Sequence, residues 1–263
     1  MSKWFFTADL HLGHSNIIKY CKRPFLDYHD LQICDLIKKG LVPASDLKIN
    51  DDAVQDMDTT IIDSINSKVD KDDNLVIVGD FCLSKSSHNR KTIQSYRDRI
   101  TCKNIYLIYG NHDHRSACQD VFTACYENYL FKIDGQQIFT SHYPCRSWDR
   151  ASHGAWMIYG HVHNIYHPED NGELMPYEKN IFSEGFQSVL LKYGVKFAEE
   201  VCSELLQVCA SIKGINLTLD VGVDNVRSGV PFGTPWSMED IRNYMLPKYN
   251  LWHSRKAANK SFC

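Results

Sequence analysis

The sequence predicts an α/β domain, on three observations. Up to about position 163, short apolar, β-rich runs alternate with polar or helical stretches. Each of those runs ends at a residue able to ligate a metal ion, and in α/β sheets the loops beyond the carboxyl ends of strands converge on one crevice. With 263 residues, the chain is long enough for one large domain with an elaboration, or for two small ones. We read a single domain over 1–263 that carries a helical insertion at 165–214.

Strands are expected at Trp4 to Ala8, Asn74 to Val78, Asn104 to Tyr109, Gln136 to Ser141 and Met157 to Tyr159. Between the first two, Met57 to Val69 sets Ile61, Ile62 and Ile65 at helical spacing, with Asp56 or Asp58 as the cap. Arg90 to Ile100 places Ile93, Tyr96 and Ile100 on one helix face, so both segments read as cover for a sheet. After the polar loop from His167 to Gly172, spacings of three and four link Phe182, Phe186, Val189, Tyr193 and Phe197. They imply a long amphipathic helix or a helix pair, broken at Gly194 and stopped at Gly214. Leu217 to Val221 returns to strand character, and Ser237-Met238-Glu239-Asp240 resembles a capping box opening a short helix. From Arg242 to Cys263 there are five Lys or Arg and no acid, the composition of a solvated, partly frayed tail.

Composition narrows the function classes. A net charge of -3 gives no global attraction to nucleic acid or an anionic membrane, so such binding would need a local patch. The ten cysteines occur singly, with no framework spacing and no CxxC pair. The run from Trp4 to Ala8 is too short for a signal-peptide core, and no stretch approaches the roughly 20 apolar residues of a membrane span. These features predict a reduced, cytoplasmic protein with no membrane association.

Chemistry concentrates in five segments: Asp9-Leu10-His11, Gly79-Asp80, Gly110-Asn111-His112-Asp113, Ser141-His142 and Gly160-His161-Val162-His163. Asp9 and His11 are two apart, so an extended backbone would turn both to one side. A carboxylate with a neutral imidazole suits zinc, manganese or iron better than calcium or magnesium. Asp80 follows a glycine that allows a sharp turn, and its two oxygens offer lone pairs enough to bridge two cations. Asn111 is a neutral oxygen ligand. His112 beside it is best placed as a proton donor or a contact to a phosphate oxygen. Eight of the twelve histidines lie in or beside these segments, a concentration that core packing does not explain.

In that order, D-x-H, G-D, G-N-H-D, an isolated H and G-H-x-H resemble the calcineurin-like metallophosphoesterase superfamily, over Lys3 to His163. A weaker likeness to small bacterial and phage members rests on Gly13-His14-x-Asn16-Ile17-Ile18-x-Tyr20, Arg23-Pro24-Phe25 and Asp220-Val221-Gly222-Val223-Asp224-Asn225. The resemblance implies two packed mixed β-sheets flanked by helices in a four-layer sandwich. It also implies two divalent metal ions, manganese first, with zinc, iron or nickel as alternatives. One ion would be held by Asp9, His11, Asp80 and His163, the other by Asp80, Asn111, His142 and His161, with Asp80 as the bridge.

Two such cations about 3.5–4 Å apart can share a water, lower its pKa and direct the resulting hydroxide at phosphorus. His112, oriented by Asp113 or Asp80, would then protonate the departing oxygen. The implied activity is a phosphodiesterase on a nucleotide-type or other small phosphodiester. His14, Asn16, Arg23, Arg146 and Trp148 are candidate substrate contacts. Protein phosphatases carry G-D-x-V-D-R-G where this chain has Gly79-Asp80-Phe81-Cys82-Leu83, so a phosphoprotein substrate is disfavoured. The alternatives are a DNA or RNA nuclease, which would need a basic groove the sequence does not display, and a partner-binding scaffold on the same fold. A thiol nucleophile at Cys145 or Cys82 has no recognisable signature around it. The 165–214 segment is a candidate lid, partner-docking element or homo-oligomer interface.

Overall fold

Strand β2 (Asn74–Val78) is buried at all five positions, and its side chains divide between two cores. A strand that is apolar on both faces must be covered on both. In the computed structural model of the chain, which describes residues 2–145, 147–163, 217–225 and 229–260, the cover is a second sheet on one side and helices on the other.

The first sheet places β1 (Trp4–Thr7), β2, β3 (Asn104–Ile108) and β4 (Ala124–Tyr126) parallel, with β9 (Trp236–Ser237) antiparallel to β1, in the order β4-β3-β2-β1-β9. In the second, β5 (Asn128–Ile133) runs antiparallel to β6 (Gln136–Ser141), which is parallel to β7 (Trp156–Tyr159) and then β8 (Thr218–Asp220). The expected pair of mixed sheets flanked by helices is therefore the architecture.

Period-two alternation assigns each residue to a core. Phe5, Leu75, Ile77, Ile105 and Leu107 pack toward the helices. There they meet Ile17 and Ile18 of α1 (Ser15–Tyr20), then Met57, Ile61 and Ile65 of a longer helix over Asp51–Lys68. Phe6, Val76, Val78 and Ile108 turn the other way, against Phe131, Ile138, Trp156, Ile158 and Leu219 of the second sheet. Among the described residues the seven cysteines are free, and no helix is long and apolar enough to cross a membrane.

Several boundaries differ from expectation. Helix α2 (Tyr28–Lys38), with a capping box from Asp27 and Asp30, was not anticipated, because Tyr28, Leu31 and Leu36 are exposed and leave no continuous apolar stripe. The next helix, α3, begins at Asp51 rather than Met57, because the Asn50 side chain accepts from Ala53 N at 2.7 Å and caps it there. Asp58 is no cap: it is buried and accepts from the Gly13 amide at 2.9 Å. Helix α4 (Arg90–Arg97) starts where expected but stops three residues short of Ile100, and the short α5 (Arg115–Cys118) follows. The capping box of Ser237 and Asp240 forms, but it opens α6 (Met238–Lys260), 23 residues long, where a frayed tail was expected. Ile241 and Met245 explain the difference, since both are fully buried in the core between the sheets. The 165–214 insertion lies outside the described residues.

Candidate metal centre

Five loops follow the carboxyl ends of β1, β2, β3, β6 and β7, and together they bring Asp9, His11, Asp80, Asn111, His142, His161 and His163 to one place. Backbone bonds from Asp9 N to Gly79 O (3.0 Å) and from His11 N to Asp80 O (2.9 Å) tie the first loop to the second. The backbone at five of these seven residues is left-handed. Asp9 (φ 58), His11 (φ 52), Asp80 (φ 56), His161 (φ 73) and His163 (φ 47) all sit in the left-handed region. This overturns the same-side argument for an extended Asp9/His11 pair: successive left-handed turns aim the side chains instead. Such conformations cost about 1–3 kcal/mol each in non-glycine residues, and they cluster where function demands a particular direction.

The donor atoms form two adjoining groups. Asp9, His11 and His163 make one, and Asp80, His142 and His161 the other, with the atoms of each within 4.8 Å of one another. Asp80 Oδ2 stands between the groups, 3.3 Å from His11 Nε2 and 3.4 Å from His142 Nε2. Asn111 Oδ1 joins the second group at 3.0 Å from His142 Nε2.

Electrostatics separates the ligands. Burial raises Asp9, although His163 and His142 oppose it. Burial would raise Asp80 too, but contacts from His11 and His142 hold it well below the usual carboxylate range. Desolvation pushes His11 down to about 4, and His14, with help from His112, also to about 4. Burial also opposes protonation of His142 and His163. Asp80 and Asp9 outweigh it at His142, raised to about 9, and the bond to Asp224 outweighs it at His163, raised to about 11. His161 is lowered by burial and by His142.

Around these ligands lies a layer of buried bracing. Asp113 Oδ2 accepts from Asp80 N at 2.9 Å and Gly110 N at 2.8 Å, and its Oδ1 from Phe81 N at 3.0 Å. Its carboxylate thus locks the second and third loops together and does not orient the His112 ring. The His112 backbone is fixed by its amide, which donates to Asp80 Oδ1 at 2.9 Å. His142 is held by Val78 O, 2.9 Å from its Nδ1. That approach needs a residue without a side chain at position 79, where φ is +90° and a Cβ would collide with the His142 ring. Gly79→Ala should therefore lower stability by more than about 1 kcal/mol and reduce bound metal, measurable by denaturant unfolding and elemental analysis.

The candidate substrate contacts separate. His14 is half-buried on the rim, its ring 5.6 Å from that of His11, and Asn16 is exposed on α1. Arg146 lies outside the described residues. Trp148 donates its indole N–H to Ala155 O at 2.9 Å and packs on the core between the sheets, so it serves structure. Arg23 is likewise corrected: only 1% exposed, it has no free face for a substrate. Its Nε and Nη2 donate to the Asp224 carboxylate, both at 2.9 Å, while Nη2 reaches Asp9 O at 2.7 Å and Nη1 reaches Leu10 O at 2.9 Å. Asp224 in turn lies 2.9 Å from His163 Nδ1, which leaves Nε2 for the first group. Arg23→Leu should cost about 3–5 kcal/mol, since it strands a buried carboxylate; urea unfolding reads it.

The sequence reading did not assign Arg23, Asp58, Asp113 or Asp224 to these bracing roles. The only signal for Arg23, Asp113 and Asp224 was their position inside the quoted motifs, and Asp58 lay in none of them. Cys82 is buried and pushed up to about 11, which suits a packed thiol and not a nucleophile.

No family model matches the chain. An uncharacterized protein of Methanocaldococcus jannaschii is 28% identical to it over 183 residues, 69% of this chain and 80% of that protein. The crystal structure of a protein of unknown function from Aquifex aeolicus matches with a TM-score of 0.52 at 14% identity, covering 93% of this chain and 100% of the other. That likeness is one of fold alone.

Proposed function

We propose that the chain is a dinuclear-metal-dependent phosphoester hydrolase of the calcineurin-like type, a phosphodiesterase on a nucleotide-type or other small phosphodiester. The position of Asp80 carries the reading: one carboxylate oxygen lies between His11 and His142, which belong to different donor groups. His11 supplies the test of fit. It is 2% exposed and neither ring nitrogen has a hydrogen-bond partner; Nε2 is near Asp80 without hydrogen-bond geometry. An unsatisfied buried polar group costs about 1–3 kcal/mol, and coordination would relieve it. Imidazole, carboxylate and amide together fit manganese, zinc, iron or nickel.

Asp9, His11, Asp80 and His163 would hold one ion, and Asp80, Asn111, His142 and His161 the other. When bound, the ions supply Lewis acidity and an activated water. The chain's own residues do the rest. His112 is half-buried with its ring 5.4 Å from that of His11, so a ring N–H can protonate the departing ester oxygen. His14 on the same rim can donate to a phosphoryl oxygen.

The test is to measure bound metal and compare hydrolysis of bis(p-nitrophenyl) phosphate with p-nitrophenyl phosphate under added manganese. Two ions per chain and a preference for the diester are expected. Two bound ions with neither ester cleaved would overturn the enzymatic reading.

A further inference from the structure

Beside His163, a third set of donors gathers. Cys21 Sγ, an imidazole nitrogen of His163 and a carboxylate oxygen of Asp224 all lie within 4.8 Å of one another. They line a cavity of about 230 Å³ that is also walled by Lys22, Arg23, Pro24 and Phe232, and the Arg23 charge is already matched by Asp224. Cys21 is half-buried, at the end of α1, and free. Thiolate, imidazole and carboxylate around a cavity form the donor set of a soft to borderline divalent cation, zinc or cadmium, and not of manganese, which takes oxygen and nitrogen.

We propose that Cys21, His163 and Asp224 form a regulatory site for a thiophilic divalent cation, one that shares His163 with the first donor group of the candidate metal centre and has Cys21 and Asp224 to itself. The cation replaces the proton of the Cys21 thiol and the Nδ1 proton that His163 shares with Asp224, and both protons pass to solvent. A carboxylate offers about four lone-pair positions. Arg23 Nε, Arg23 Nη2 and His163 Nδ1 occupy three at Asp224, so the acid can serve the cation while keeping its arginine. What changes is His163. The Nδ1 contact to Asp224 sets its orientation toward Asp9 and His11, so occupation of the third site turns or shares the ring and weakens the first group. The antagonism rests on the reading of His163 as a ligand there, whereas the third site itself does not. Zinc in excess should thus inhibit a manganese-loaded protein by a route separate from replacing the manganese.

Cadmium titration into the manganese-loaded full chain tests this, because a cadmium–thiolate bond gives an ultraviolet charge-transfer band whether or not the protein turns over. One equivalent of cadmium should saturate the band and, if diester hydrolysis is present, inhibit it. Cys21→Ser should remove the band, raise the inhibitory concentration on the order of tenfold or more, and leave uninhibited hydrolysis unchanged. Cys21→Ala provides the same readout should the serine variant fold poorly. An unchanged band in either variant overturns the site, since the thiol responsible would then be another cysteine. Loss of the band with undiminished inhibition overturns the antagonism.

Discussion

Asp80→Asn is expected to reduce metal-dependent turnover to background, a loss of about 10³-fold or more, which corresponds to about 4 kcal/mol. The substitution keeps shape and the oxygen that accepts the His112 amide, but it removes the charge that faces both His11 and His142. An amide has one oxygen where the site uses two, so it cannot both accept from His112 and serve two cations. Elemental analysis should show fewer than two ions per chain, while the circular dichroism of the metal-free variant stays native. Full activity at saturating manganese would sink the dinuclear model.

His112→Ala should separate chemistry from assembly. The bond from residue 112 to Asp80 uses the backbone amide and survives the change, so both ions should remain. Loss of a positioned proton donor should lower kcat by about 10²–10⁴-fold with little change in KM. A substrate whose leaving group needs no proton, such as a nitrophenyl ester, should show a smaller loss than an alkyl ester. Equal losses on both would remove His112 from the proton-handling role.

The strands and the candidate ligands at their ends were legible because both obey short-range rules. Leu75 to Val78 announces a doubly buried strand, and Asp80 follows its glycine within two residues. The pair of sheets was available only through the motif resemblance, since no local pattern states how one sheet lies on another. Helix α2 and strands β4 and β9 escaped because their apolar positions are few or interrupted, whereas β5 carries Tyr129, Leu130, Phe131 and Ile133 and was missed despite that signal. The misplaced tail shows the same limit: Met245 sits in the acid-free stretch that begins at Arg242, and only the second sheet reveals what buries it. Arg23 is the sharpest case. Its partner Asp224 lies 201 positions away, and a lone arginine in a loop reads equally as a surface contact. Backbone direction was equally hidden, since left-handed turns at aspartate and histidine leave no glycine to mark them.

The bond between Asp224 and the Arg23/His163 pair also sets a timetable for the chain at birth. Synthesis proceeds from the amino terminus at about 5–20 residues per second. The seven ligands are therefore translated long before Asp224, and while the ribosome is still working toward that residue His163 has no carboxylate to fix its tautomer. The Asp9–Leu10 turn likewise lacks a fully neutralised arginine beneath it. A nascent chain that stalls early thus carries every ligand yet lacks the brace that aligns them, so any ordered uptake of cations at the candidate centre would be a property of the finished polypeptide and not of its growing fragments.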